Sequence, residues 1–206
     1  MDAPSTEQHD RLERFAALVA ASPHNLVSRR ARDELSTRHV PECVAFARML
    51  PRGATRVLDL GSGGGFPGLV VAIVRPDLHV DLLDATAKKT SFLREAAEEL
   101  GVDVSVHTGR AEELGRQDGF RAAFDVVTAR AVAPLDRLVV WSVPFLRAGG
   151  LLYAMKGERW ADELAAARAS IERTGASVVA TPDDVAIPGD DAAAPTPRVV
   201  MLARSR

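Results

Sequence analysis

The stretch with the most chemical content is Val57-Leu58-Asp59-Leu60-Gly61-Ser62-Gly63-Gly64-Gly65-Phe66-Pro67-Gly68. An apolar run closes on an acid, passes through a glycine cluster and enters a helix near Pro67. Glycines let the backbone turn sharply and leave room for a ligand. A helix start beyond them offers unpaired N–H groups. Two frames fit the spacing. Gly63-Gly64-Gly65-Phe66-Pro67-Gly68 matches G-x-G-x-x-G, the dinucleotide fingerprint, which is weak evidence alone. Asp59-x-Gly61-x-Gly63-x-Gly65 is the pattern of S-adenosylmethionine pockets. The charges favour the second frame. Asp59 would repel a pyrophosphate, but it suits the sulfonium and α-ammonium of S-adenosylmethionine. Gly61 and Gly63 would then line the cofactor pocket.

Two further segments point to a nucleoside. Asp84 ends the run Val80-Asp81-Leu82-Leu83-Asp84, where a carboxylate can bind both ribose hydroxyls; its structural alternative is a helix N-cap. Gly109-Arg110-Ala111-Glu112-Glu113 follows the third apolar run. There Ala111 and Glu112 could meet the adenine edge through their backbone, or simply begin an acidic helix.

The atom that receives the group is narrowed by what the sequence lacks. Activating C5 of a pyrimidine needs a cysteine nucleophile. The single cysteine, Cys43, lies far from the predicted sheet-end loops and reads as a buried small hydrophobe. Amine methylation of adenine or cytosine commonly uses Asn/Asp-Pro-Pro-aromatic after the fourth strand, and this chain has Thr128-Ala129-Arg130-Ala131-Val132-Ala133-Pro134 there. N7 of guanine needs neither device, because it has a free lone pair and no proton to lose. Alignment would then supply most of the catalysis. Other easy nucleophiles meet the same demand. Tyr153 and Lys156 miss the Tyr-x-x-x-Lys spacing of short-chain dehydrogenases by one residue, and residues three apart on a strand face opposite ways. A small-molecule or protein methyltransferase, a nicotinamide oxidoreductase and a nucleoside-binding protein without catalysis remain the alternatives.

These residues need a scaffold that gathers loops at one sheet edge. From Pro51 onward, β-branched runs alternate with amphipathic segments, the form of a βαβ parallel sheet. Strands are predicted at Arg56–Leu60, His79–Asp84, Asp103–His107, Phe124–Thr128, Gly150–Met155, Ser177–Ala186 and Arg198–Ala203. Helices are predicted at Ala87–Leu100, Pro134–Leu146 and Glu158–Arg173. The last two strands have no helix between them and must pair antiparallel. The expected fold is α/β, a doubly wound Rossmann-like sheet over residues 51–206. Residues 1–50 form a helical N-terminal extension, with helices at Asp10–Ala21 and Asp33–Leu50, the second kinked or delayed by Pro41.

Bulk properties set limits. The 206 residues, 47% hydrophobic, allow one ordinary core without disulfide or metal support. The net charge of −2 speaks against a nucleic-acid coating protein but permits a local basic face, such as Arg29, Arg30, Arg32, Arg38 and His39. The N-terminal residues lack a secretory pattern, and the longest apolar run, Leu69 to Val74, is too short to span a bilayer. A cytoplasmic monomer without metal is expected.

Taken together, the motifs resemble the RsmG (GidB) family of bacterial 16S rRNA guanine-N7 methyltransferases. The resemblance rests on Gly61–Gly68 with its Gly-Phe-Pro-Gly ending, Asn25-Leu26-Val27-Ser28, Arg38-His39, Leu82-Leu83-Asp84, Phe92-Leu93-Arg94, Arg110-Ala111-Glu112, Ala129-Arg130-Ala131, Met155-Lys156-Gly157 and Arg198. It implies that Gly61 and Phe66 line the cofactor pocket and that Ala111 and Glu112 hold the adenine. It implies that Arg130 reaches cofactor and nucleotide, and that Lys156 and Arg198 are RNA or catalytic contacts. Arg38 and His39 are expected to touch RNA. The implied target is a loop of the decoding region in 16S rRNA or the small subunit, and loss of the family's activity is linked to low-level streptomycin resistance. Two features depart from the family: Glu42-Cys43, after Pro41, stands where Asp-Ser is common, and the N-terminal extension is short.

Overall fold

The computed structural model describes residues 3–184 and 196–205. Seven strands form one sheet: β1 (Arg56–Leu60), β2 (His79–Asp84), β3 (Ser105–Thr108), β4 (Phe124–Arg130), β5 (Leu146–Met155), β6 (Ala176–Ala180) and β7 (Val199–Arg204). Their order is β3-β2-β1-β4-β5-β7-β6. The first five pair in parallel; β7 runs antiparallel to both β5 and β6. The strand order reverses between β1 and β4, so the loops leaving their C-terminal ends open a crevice there. That is where open α/β sheets bind ligands.

Both faces of the sheet are covered, and the strand residues divide accordingly. Val57, Val80, Leu82 and Val126 join one apolar cluster; Leu58, Leu83 and Val127 join the other. Successive side chains point to opposite faces, so a strand buried on both sides reads as continuous apolar sequence. The first face carries α4 (Gly68–Val74) and α5 (Ala87–Leu100). The second carries α7 (Leu135–Ser142) and α8 (Trp160–Arg173), with the single turn α6 (Ala111–Leu114) near the crevice.

The N-terminal residues form α1 (Thr6–Ala21), α2 (Arg29–Asp33), a π-helical turn (Leu35–His39) and α3 (Val40–Met49). A capping box between Ser5 and Gln8 starts α1. Leu12, Phe15 and Val19 of α1 enter the same cluster as Leu69 and Val70 of α4, and the Phe15 and Phe66 rings lie 4.9 Å apart. Buried Arg75 donates to the carbonyls of Ala47, Leu50 and Pro51 while pairing with Asp77, which ties the end of α3 to the end of α4. The extension therefore shares the sheet's core.

Several boundaries differ from expectation. The helix expected at Asp33–Leu50 is broken: Val40 donates to Leu35 in a π turn, and Pro41 falls in the first turn of α3, where its missing N–H costs nothing. Strand β5 begins at Leu146 rather than Gly150, and α7 stops at Ser142, followed by a 3-10 turn at Val143–Phe145. Of the strand expected at Ser177–Ala186, the structure forms Ala176–Ala180; positions 185 and 186 lie outside the described residues.

Candidate active site

The turn after β1 is built by internal hydrogen bonds. The N–H groups of Gly61 and Ser62 both donate to the Leu83 carbonyl, and Gly63 N–H donates to Asp84 Oδ2 at 3.0 Å. Ser62 Oγ donates to the Asp59 carbonyl and accepts from Leu83 N–H, lacing β1 to β2. Gly61 has φ +73°, and a Cβ there would come within 2.6 Å of Val132. Glycine is the residue that fits this corner.

Asp59 corrects the expectation of direct cofactor contact. It is 1% exposed and lines none of the crevice cavities. Its Oδ1 accepts from Thr128 Oγ1 at 2.7 Å, and its Oδ2 accepts from Gly68 N–H at 3.2 Å, at the start of α4. Burial pushes its carboxyl up to about 6, against the opposing hydrogen bonds from Thr128, Ser62 and Gly68. The protein's own acid thus fills the helix-terminal position that a pyrophosphate would need. The dinucleotide reading fails on this geometry. Tyr153 also fails as its proton donor: it is 2% exposed and packs edge-on against Phe46.

Three cavities adjoin along the crevice. The first, about 280 Å³, is lined by Gly61, Asp84, Ala85, Ala111, Glu112 and Trp141 among others. The second, about 340 Å³, lies between Gly61–Gly64, Phe66 and Arg130 on one side and Leu26, Val27, Ser28 and Ala31 on the other. Gly61, Lys89 and Ala131 line both. The donor and acceptor set suits S-adenosylmethionine. Asp84 lies at the β2 end with Oδ1 accepting from Thr86 N–H, and each of its oxygens keeps a further lone pair for a ribose hydroxyl. Ala111 and Glu112 border the same cavity. Gly63 and Phe66 face the second, where the amino-acid end would lie.

The third cavity, about 490 Å³, carries the charge. Arg38, His39, Glu42, Arg130, Lys156, Glu163 and Arg198 line it. Ala131 borders all three cavities and holds φ +53°, an uncommon backbone state for a residue with a Cβ. Arg130, at the end of β4, borders the second and third. One terminal nitrogen of its guanidinium donates to His39 Nδ1 and lies 3.5 Å from Glu42 Oε2; the other donates to Cys43 Sγ at 3.2 Å. Its guanidinium carbon lies 5.9 Å from the Phe66 ring centroid. The residues expected to act together are therefore gathered, but not all in the expected posture.

Lys156 is 7% exposed at its side chain. Its Nζ donates to the Ala133 carbonyl and to Glu163 Oε2, both at 2.8 Å, and Glu163 Oε2 also accepts from Leu135 N–H. These bonds fix the loop after Arg130, so Lys156, expected as an RNA or catalytic contact, is engaged within the protein on the chamber wall. Arg198 is exposed on the chamber rim, and its carbonyl accepts from Lys156 N–H. Arg38 is exposed and pairs with Glu34, whereas His39 turns inward to Arg130 instead of standing outside with Arg38 for RNA. Burial and the Arg130 charge hold the His39 imidazole below its usual range.

Cys43 is closer to the crevice than its place in the chain suggested, beneath Arg130. It is fully buried, and burial pushes its thiol up to about 12, so it is no nucleophile. Sequence reasoning did not single out Lys89, Glu163 or Ala131. Their roles depend on contacts between distant segments, and Ala131 carries no residue-type signal for its φ. Among the described residues, no group of His, Cys, Asp and Glu could hold a metal, and no helix is long and apolar enough to cross a membrane.

Comparison with known proteins shows the family. Residues 8–186 match the GidB family, described as rRNA small subunit methyltransferase G. The ribosomal RNA small subunit methyltransferase G of Thermobifida fusca is 46% identical over 164 residues, 78% of this chain and 67% of the relative. That of a Nocardioides species is 44% identical over 199 residues, covering 94% and 76%. Among solved structures, cofactor-bound Rv0187 from MTB superposes with a TM-score of 0.58 at 21% identity, covering 96% of this chain and 91% of that one, a likeness of fold. With the family matched over most of its length and a crevice suited to S-adenosylmethionine, the chain belongs to the rRNA small subunit methyltransferase G family.

Proposed function

We propose that this chain methylates N7 of a guanine in the decoding-region loop of 16S rRNA, acting in the cytoplasm as a monomer on the RNA or the small subunit. The observation that carries this reading is the wall formed by Arg130 and Ala131, with a nucleoside-suited cavity on one side and an arginine-rimmed chamber on the other. Arg38 and Arg198 are exposed at that rim, where they would take phosphates and position an RNA strand without reading its sequence. Family membership supplies the class of substrate.

S-adenosylmethionine, when bound, supplies a methyl group on a positively charged sulfur, which departs as a neutral thioether. N7 of guanine meets it with a lone pair and loses no proton, so the chamber needs no general base. The residues present suit that demand. Lys156 and Glu163 bond to each other, and His39 Nδ1 accepts from Arg130. Asp84, Ala111 and Glu112 would hold the nucleoside end, and Gly61, Gly63 and Phe66 the amino-acid end. The loop fixed by Lys156 would keep the acceptor in line with the methyl group, the main source of rate here.

The test is methyl transfer from labelled S-adenosylmethionine to 16S RNA and to 30S subunits from a strain lacking its own family member. After nuclease digestion, label is expected in N7-methylguanosine. Label in another nucleoside, or none in RNA, would reject the reading.

A further inference from the structure

The third chamber contains two carboxylates, and they are in different situations. Glu163 accepts from Lys156 and from Leu135 N–H, both through Oε2, so its charge is already paired at 2.8 Å with the Lys156 ammonium. Glu42, in the first turn of α3, has a side chain 19% exposed and faces the chamber. Among the described residues, none donates it a hydrogen bond; its nearest cation is Arg130, 3.5 Å from Oε2. Its side chain lines the chamber and is partly exposed there, so a ligand in the chamber can reach it.

We infer that Glu42 reads the Watson–Crick edge of the target base and selects guanine, an inference that rests on the function proposed above. Guanine is the base that presents two adjacent donors, N1–H and the N2 amino group. A carboxylate offers two acceptors at matching spacing. Adenine and cytosine present a donor beside an acceptor, and the acceptor would face the negative charge. Holding guanine by N1 and N2 leaves N7, on the opposite edge, free. Methyl transfer forms the N7–carbon bond as the sulfur–carbon bond breaks, with the electron pair kept by sulfur. The positive charge passes to the purine. A carboxylate at the N1–H edge is then better paired in the transition state than in the bound substrate, which favours rate as well as selection.

The alternative is that Glu42 merely holds Arg130. A substrate lacking one donor separates the two roles. Once the methylated guanine is mapped, a ligated 16S RNA carrying inosine at that position removes the N2 amino group and keeps N1–H and N7. Wild-type protein is expected to prefer the guanine RNA in kcat/KM by about tenfold or more, the range for a hydrogen bond to a charged group. In E42Q the preference is expected to fall to within about twofold, with S-adenosylhomocysteine binding retained. E42D keeps both acceptors and is expected to keep the preference at a lower rate. Should E42Q fail to fold, E42A carries the same comparison. Equal losses on both RNAs with the preference intact, or a wild type indifferent to inosine, would overturn the role of Glu42. If wild-type protein puts no methyl on guanine, the proposed function fails first, and that outcome shows on the unmodified RNA alone.

Discussion

Lys156 gives a first prediction. Its ammonium joins Ala133 and Glu163 around the loop that follows Arg130. K156M should therefore lower kcat by tenfold or more while leaving S-adenosylhomocysteine affinity within about twofold, since the residue it anchors, Ala133, lines the third cavity and not the first. Calorimetric titration beside single-turnover rates checks this; parallel loss of affinity would contradict it. Asp59 gives a second prediction. Its carboxyl titrates near 6 when folded and near 3.8 when unfolded, so between those values the native state binds more protons. Stability from this group is then present at low pH and is lost as pH rises from about 4 to about 6, by about 3 kcal/mol. D59N removes that slope. Its melting temperature relative to wild type should rise between pH 4 and pH 7.5, and a constant difference would contradict the assignment. Residue types pointed to Asp59 and Asp84, and the family resemblance pointed to Arg130 and Lys156. They could not say which pointed inward, because Asp59 gains Thr128 and Lys156 gains Glu163 only when distant segments meet.

The β1–turn–α4 unit shows why a short glycine motif can specify a site. Gly68 donates its N–H to Asp59, and a Cβ there would lie 2.4 Å from Leu82 and 2.6 Å from Asp59 Oδ2, with no surface to relieve the clash. G68A should cost about 1–3 kcal/mol of stability and weaken S-adenosylhomocysteine binding together; thermal denaturation with and without the ligand reads both. An unchanged melting temperature would mean that the unit is less rigid than drawn. The same unit was plain in the sequence because strand, turn and helix are consecutive. The π turn at Leu35–His39 was not. Pro41 signalled an interruption, but its form depends on α3 reaching Arg130 and α4, contacts that local periodicity does not record.

At the scale of the molecule, the N-terminal helices and the sheet share one apolar cluster that runs from Phe15 through Leu69 to Val199. Calorimetry should give one unfolding transition, with the calorimetric and van 't Hoff enthalpies equal. A separate low-temperature transition would show that the extension folds apart from the sheet. The alternation of strands and helices made the parallel sheet legible. The joining of α1 and α3 to its core was not, since an amphipathic face does not name its partner. This union also brings His39, Glu42 and Cys43 against Arg130, making the chamber a product of both parts of the chain. The most direct test of the whole account is borohydride and aniline cleavage of small-subunit RNA after treatment with the protein and S-adenosylmethionine, using RNA from a strain that lacks the modification. One new cleavage in the decoding-region loop, absent without the cofactor, is the predicted result; RNA that stays uncleaved while the protein binds the cofactor would contradict it.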